Sequence, residues 1–231
     1  MKSKRITVLL AEDHLIVREG FRGLLKDEHD IEIVGEADNG RLAVQLVKKL
    51  RPAVLVMDIA MPLLNGLEAA RQIMVAAPAT RIIILSAHSD DAYILQATAA
   101  GAVGYLIKQT SSHDLCTAIR EVHAGKTFFS PSVSRHLRHQ YQKSPERAGL
   151  IKKRSAGLSA REMEVLQLIA EGKANKETAS ELGISIKTVE KHRQHLMEKL
   201  NIHDTAGLTR YAISAGVIES SVQMTVVAAP V

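Results

Sequence analysis

Apolar runs that each end in a polar or charged group set the rhythm of the first half of the chain. Ile6 to Ala11 leads into Glu12 and Asp13, and Ala53 to Met57 leads into Asp58. Ile82 to Leu85 leads into Ser86, and Val103 to Ile107 leads into Lys108. These runs, with 31–36, read as strands over 6–11, 31–36, 53–57, 82–86 and 103–107. Helical patterns fill the gaps near 14–27, 39–49, 65–76 and 90–100. A fifth helix is predicted over 112–124, with Leu115, Ala118, Ile119 and Val122 on its apolar face and Gly125 at its end. Strands alternating with helices predict an α/β domain with a parallel sheet. The strands are apolar almost throughout, as expected when helices cover both faces. The expectation is a five-stranded, doubly wound parallel sheet.

The chemistry lies just past the strand ends. In an open parallel sheet those positions gather along one edge, where ligands bind. Glu12, Asp13, Asp58, Ser86 and Lys108 would meet there. Three carboxylates, a hydroxyl and an amine point to a divalent cation and a transferred phosphoryl group. One acidic residue after a strand is ordinary turn chemistry, so the set carries the signal.

The pattern changes after residue 130. The stretch from Pro131 to Gly157 is rich in Arg, Lys, His, Gln and Ser. Its first half can extend a helix, while Pro145 to Gly157 reads as a joint. Beyond it the spacing is wholly helical. Ser159 followed by Glu162 forms a capping-box signature, and the helix it opens runs to Glu171, with Met163, Leu166, Ile169 and Ala170 inward. A second helix is predicted from Asn175 to Leu182, then a turn at Gly183, and a third helix from Ser185 or Ile186 to Leu200. A fourth covers Thr205 to Ala215. A short helix, a glycine turn and a long polar helix form a helix-turn-helix. The domains expected are 1–130, an interdomain helix or linker over 131–154, a helical domain over 155–218, and a loosely ordered tail over 219–231.

Composition narrows the class. The 231 residues are 46% apolar and 24% charged, as in globular proteins. No apolar run approaches the ~20 residues of a membrane span. The basic start turns acidic at Glu12 and Asp13 and lacks a processing site, which argues against a signal peptide. Cys116 is the only cysteine, so no internal disulfide can form; its helical position reads as packing. A cytoplasmic protein without a membrane partner is expected. The net charge of +5 is concentrated between 132 and 157, where seven basic residues face one acidic. Such an excess can strengthen attraction to phosphates, although a solvated linker has the same composition.

Residues 5 to about 128 resemble the receiver domain of two-component response regulators. The resemblance rests on Glu12-Asp13, the run from Asp58 to Gly66, Ser86 and Lys108. It implies that Asp58 is the phosphoacceptor and that Glu12, Asp13 and Asp58 hold Mg²⁺ through hard oxygen ligands. Lys108 and Ser86 would support the phosphoryl oxygens, and Ala87 would leave room beside the acyl phosphate. Ser86 and Tyr105 match the family's switch pair. His14 reads as a surface residue and not as a ligand, while Ala60 and His88 stand near the acceptor. Two departures stand out: Gln109 replaces the usual proline after the lysine, and Asn65 replaces the common acidic residue before Gly66.

Residues 158 to about 216 resemble the NarL/FixJ and LuxR class of helix-turn-helix domains, through the runs Leu158 to Leu166, Ile169 to Glu177 and Lys187 to His192. Thr178 takes a place that is more often aliphatic. The resemblance puts the third helix in the DNA major groove, with Glu190, Lys191 and Gln194 facing bases. Gln194 suits adenine and Lys191 guanine. Glu190 either accepts from cytosine or sits in solvent beside Lys187. Lys187, Thr188, His192 and Arg193 suit phosphate contact or positioning, as do Asn175 and Lys176. Leu208, Tyr211 and Ala212 mark the dimer surface by resemblance.

Together these features imply a phosphorylation-regulated transcription regulator of the NarL/FixJ family. A sensor histidine kinase would supply the phosphoryl group, and promoter DNA would be bound by a homodimer in the active state. RNA polymerase is a further candidate partner. Such a receiver assists its own phosphorylation and dephosphorylation without being a conventional enzyme. The competing classes are a constitutive DNA-binding protein, a phosphatase or phosphotransferase, and an adaptor. Retention of every reactive group speaks against the first, and the lack of a substrate lid or second general acid against the second.

Overall fold

The computed structural model describes residues 5–87, 91–108, 112–129 and 157–218. The basic stretch 131–154, the tail 219–231, His88 and Gln109 lie outside the described residues.

The first unit runs β1 (Ile6–Ala11), α1 (Leu15–Lys26), β2 (Ile31–Ala37), α2 (Gly40–Leu50), β3 (Val54–Asp58), α3 (Gly66–Ala76), β4 (Arg81–Ser86), α4 (Asp91–Ala99), β5 (Gly104–Ile107) and α5 (Ser112–His123). A sixth strand, β6 (Phe128–Phe129), follows. The sheet order is β2-β1-β3-β4-β5-β6, and every pairing is parallel.

The expected five strands are therefore corrected to six. Gly104 pairs with Phe128 and Tyr105 with Phe129, extending the sheet beyond β5. Two residues are too short to display a period-two alternation. The chain turn at Gly125 brings them back beside β5, and that return is a tertiary event with no local periodic signal.

Both faces of the sheet are covered, as the apolar strands require. Leu9, Leu55, Met57, Ile82 and Ile84 face α2, α3 and α4, with Ala43, Val47, Ala69, Ile73, Ile94 and Ala97 opposite them. Val8, Leu10, Val54, Val56, Ile83, Leu85 and Leu106 face α1 and α5, against Leu25, Leu115, Ala118, Ile119 and Val122. Cys116 is buried on that second face.

The second unit holds α6 (Ala160–Ala170), α7 (Asn175–Leu182), α8 (Ile186–Leu200) and α9 (Thr205–Ser214). Ser159 and Glu162 form the reciprocal cap of α6. Gly183 takes φ +62° between α7 and α8, a left-handed turn that suits a residue without a Cβ. Val165, Leu166, Leu168, Ile169, Leu196 and Leu208 form a second, separate core.

Helix α6 is buried on two faces. Its inner face meets α8 and α9. Glu164 and Gln167 are also buried, because this side of the helix packs against the first unit. The 3.6-residue period alone predicts only the inner face.

Candidate phosphoryl site and DNA-reading surface

Glu12 and Asp13 follow β1, Asp58 ends β3, Ser86 ends β4 and Lys108 follows β5. The register pairs Asp58 with Leu85 and Ser86 with Ile107, so these groups share one edge of the sheet. Lys108 Nζ lies 2.8 Å from Asp58 Oδ2 and 2.9 Å from Glu12 Oε2. Asp58 Oδ1 accepts a 2.7 Å bond from the Ile59 backbone N–H, which fixes the carboxylate plane. Glu12, Asp58 and Ser86 are buried, and Ala87 is exposed at the rim. Tyr105 is fully buried on β5, across from Ile84.

Burial raises the Asp58 carboxyl to about 6; the nearby Lys108 opposes that rise and Glu12 adds to it. Burial pulls the Lys108 amine down, but Asp58 and Glu12 outweigh it and hold the amine above its ordinary value. Glu12 Oε2, Asp13 Oδ1 and Asp58 Oδ2 are shielded from solvent and balanced by the cationic Lys108 and the His14 ring. Three carboxylates converging against one amine fit a hard divalent cation. Such an ion would add positive charge beside Asp58 and favour its ionised form.

His14, read from sequence as a bystander, is 66% exposed, but its Nδ1 lies 2.8 Å from Asp13 Oδ1 and 3.1 Å from Glu12 Oε1. Candidate ligand atoms of Glu12, Asp13, His14 and Asp58 all fall within 4.8 Å of one another. Asp13, together with the Glu12 bond, raises the imidazole above its ordinary value against some loss of hydration.

The turn after Asp58 is closed by a 2.8 Å bond from the Gly66 N–H to the Ile59 carbonyl. A Cβ on Gly66 would lie 2.0 Å from the Asp58 carbonyl oxygen, so glycine is required there. Asn65 caps α3 by accepting from the Glu68 N–H at 2.9 Å.

This turn also meets the second unit. Gln167 accepts from the Asn65 N–H at 2.7 Å and donates to the Met61 carbonyl at 2.9 Å. Glu171 accepts from the Leu63 N–H at 3.0 Å. Leu63 adopts φ +66°, rare for a bulky residue, and its side chain packs against the apolar core of the second unit. Asn65 Nδ2 donates to the Val217 carbonyl at 3.3 Å. Glu164 is held by Gln72 at 2.8 Å and by Arg41 at 3.3 Å. The sequence offered one pointer to this contact, the amide at Asn65 where an acidic residue is more common. An acidic side chain could cap α3 but, when ionised, could not donate to Val217.

On α8, Val189 and Leu196 are buried, while Lys187, Glu190, Lys191 and Gln194 are exposed. Thr188, His192 and Arg193 are half-buried. Arg193 donates to Asn175 at 3.2 Å and to Thr205 at 2.6 Å, so it links α7, α8 and α9. Lys176 is exposed beside half-buried Asn175. Gln194 donates to Glu198 at 2.9 Å. Docking of the two units leaves the outward positions of α8 uncovered. On α9, Leu208 and Ala212 have no accessible surface and belong to the domain core, while Tyr211 is half-buried. No helix among the described residues is long and apolar enough to cross a membrane.

Residues 8–120 match the family model "Response regulator receiver domain", and residues 156–212 match "Bacterial regulatory proteins, luxR family". The oxygen regulatory protein NreC of Staphylococcus carnosus is 36% identical over 214 residues, spanning 92% of this chain and 99% of the relative. The transcriptional regulatory protein YxjL of Bacillus subtilis is 35% identical over 224 residues, covering 95% of this chain and 100% of the relative. Among solved structures, the Salmonella typhimurium RcsB response regulator aligns at 30% identity and a TM-score of 0.56, covering 92% of this chain and 100% of that one. A structure of two RcsB dimers bound to two parallel DNAs gives 30% identity and a TM-score of 0.56 over 91% of this chain and 99% of that one.

Proposed function

Because the chain belongs to the NarL/FixJ family of two-component response regulators, with a receiver and a LuxR-type helix-turn-helix, we propose that phosphorylation of Asp58 controls its binding to promoter DNA. The observation that carries this reading is the juxtaposition at one sheet edge. Asp58 sits within ion-pair distance of Lys108 and in one cluster with Glu12 and Asp13, on a chain whose α8 keeps its outward side chains exposed.

The donor is a phosphohistidine of a sensor histidine kinase. An Asp58 carboxylate oxygen forms the new bond to phosphorus as the phosphorus–nitrogen bond breaks, and the donor imidazole leaves and takes up a proton. Glu12, Asp13 and Asp58 would hold Mg²⁺, which when bound would neutralise charge on the phosphoryl oxygens. Lys108 offers a compact cation to one of those oxygens and Ser86 a hydroxyl donor to another. Ala87 leaves space at the rim. Hydrolysis returns the carboxylate, so the receiver modifies itself and turns over no separate substrate.

Phosphorylation adds about −1.5 to −2 charges at the sheet edge. Ser86 and Tyr105 transmit that change towards α4 and α5. The chain divides into a receiver over 1–130, a basic connection over 131–154, a DNA-binding domain over 155–218 and a tail over 219–231. In DNA, Glu190, Lys191 and Gln194 face bases. Lys187, Thr188, His192 and Lys176 contact or approach phosphates, while Asn175 and Arg193 brace the helix. The active form is a homodimer. Half-buried Tyr211 contributes the α9 contact, with Leu208 and Ala212 in the core beneath the helix. The protein works in the cytoplasm, with RNA polymerase as a downstream partner.

Incubation with a small phosphodonor and Mg²⁺, followed by intact-mass and peptide analysis, tests this assignment. One added phosphoryl on wild type, mapped to Asp58 and absent from Asp58→Ala, supports it. Labelling elsewhere, or none, refutes it.

A further inference from the structure

We propose that His14 is an additional ligand of the divalent-ion site, giving it a preference for imidazole-binding ions such as Mn²⁺, Co²⁺ and Zn²⁺ beyond that of an all-oxygen site. The inference rests on the reading that Glu12, Asp13 and Asp58 bind a divalent cation.

The geometry points to one shared coordination sphere. Ligand atoms at right angles around an ion, with bonds of ~2.1 Å, lie ~3.0 Å apart. His14 Nδ1 lies 2.8 Å from Asp13 Oδ1 and 3.1 Å from Glu12 Oε1. An ion could therefore occupy the space between the imidazole and the carboxylates with little movement of the ring. The receiving oxygens line the same space: Asp13 Oδ1 meets the ring nitrogen and Asp58 Oδ2 meets Lys108 Nζ, each at 2.8 Å, and Asp58 itself is 2% exposed. Backbone structure holds the ring at the rim. The His14 N–H donates to Glu12 Oε1 at 3.2 Å, and its carbonyl accepts the first helical bond from the Arg18 N–H at 3.0 Å. His14 stands at the N-cap position of α1, yet its side chain forms no cap bond, so the imidazole is not committed to the helix.

The selectivity follows from ligand chemistry. Mg²⁺ favours oxygen and water and gains little from an imidazole. Affinity for nitrogen rises from Mn²⁺ through Co²⁺, and Zn²⁺ binds imidazole readily. A neutral nitrogen ligand beside the acidic cluster therefore strengthens binding of these ions far more than that of Mg²⁺. The side chain is largely exposed, so its removal does not open a cavity in the fold.

The test uses the full chain and the metal ions alone. Pulsed electron paramagnetic resonance of bound Mn²⁺ reports whether an imidazole nitrogen is coordinated, and calorimetry compares Mg²⁺ with Co²⁺. Wild type, His14→Ala and Asp13→Asn are measured, with circular dichroism checking each fold. The expected result is a directly bound ¹⁴N signal in wild type that disappears in His14→Ala. Co²⁺ affinity should fall about tenfold or more, while Mg²⁺ affinity changes less than about twofold. Mn²⁺ binding that depends on Asp13 but shows no nitrogen signal overturns the His14 assignment and leaves the acidic site standing. Equal losses of Mg²⁺ and Co²⁺ affinity in His14→Ala overturn the selectivity. Binding unaffected by Asp13→Asn, or no binding, overturns both the inference and the reading beneath it.

Discussion

The Asn65 side-chain amide donates to the Val217 carbonyl across 3.3 Å, joining the turn after the phosphoryl site to the chain just beyond α9. The same residue gives its backbone N–H to Gln167 at 2.7 Å. Seven residues after Asp58, it thus belongs to the receiver turn and to the interface with the DNA-binding domain. A displacement of this turn on phosphorylation has a direct path to α6.

Asn65→Asp separates these roles. Aspartate can still cap α3, but it cannot donate to Val217 when ionised. Docking should weaken by roughly 1–3 kcal/mol, the range for leaving a buried polar group without its partner. Distances between spin labels on the two domains should lengthen in the unphosphorylated protein, while receiver unfolding changes little. An unchanged distance distribution would remove this bond from the docking interface.

Gln167→Ala makes a second demand on the same interface. It removes an acceptor for Asn65 and a donor for Met61 while leaving the α6 cap at Ser159 intact. The docked-to-undocked equilibrium constant should fall by about tenfold, equivalent to ~1.4 kcal/mol. Small-angle scattering should show a larger radius of gyration, and amide exchange over 61–66 should rise. No change in either would show that the contact contributes nothing in solution.

Acid should favour docking through Glu171. Burial raises its carboxyl above the ordinary 4.5, against the favourable bonds from Gln167 and Leu63. With the docked value above the undocked one, the docked form binds more protons between the two. Docking therefore strengthens as pH falls through that window, and it levels off below the undocked value. Glu171→Gln, titrated by the same spin-label distances, should lose this part of the dependence. Identical pH profiles for the two proteins would exclude Glu171 as the linked group.

Thr178 offers a stability prediction remote from the chemistry. Its side chain is fully buried on α7, and its hydroxyl oxygen has no hydrogen-bond partner. Thr178→Val keeps the shape and removes that polar atom. A gain of about 1 kcal/mol is expected, read as a rise in the unfolding midpoint of the DNA-binding domain. Destabilisation would mean that the hydroxyl contributes to the native fold.

Much of this architecture was legible because local and global signals agree. The apolar strands, the polar groups at their ends, the Ser159–Glu162 cap and the Gly183 turn each carry a local physical reason. Phe128-Phe129 was missed because a two-residue strand has no period. The second buried face of α6 was missed because Glu164, Gln167 and Glu171 look like a solvated stripe until the receiver covers them. His14 reads as a surface residue and is exposed, but its closeness to Asp13 and Glu12 depends on a side-chain rotamer that sequence position does not fix. Leu208 and Ala212 read as a dimer surface by resemblance, yet both lie inside the core, where the 3.6-residue period had equal claim to them.

The most direct test of the central claim is the affinity for promoter fragments with and without phosphorylation of Asp58, at one fixed salt concentration. Wild type with a phosphodonor and Mg²⁺ should bind selected sequences more tightly than unphosphorylated protein, and Asp58→Ala should show no response. Equal selective binding by all three would keep the DNA-binding role and contradict control by Asp58.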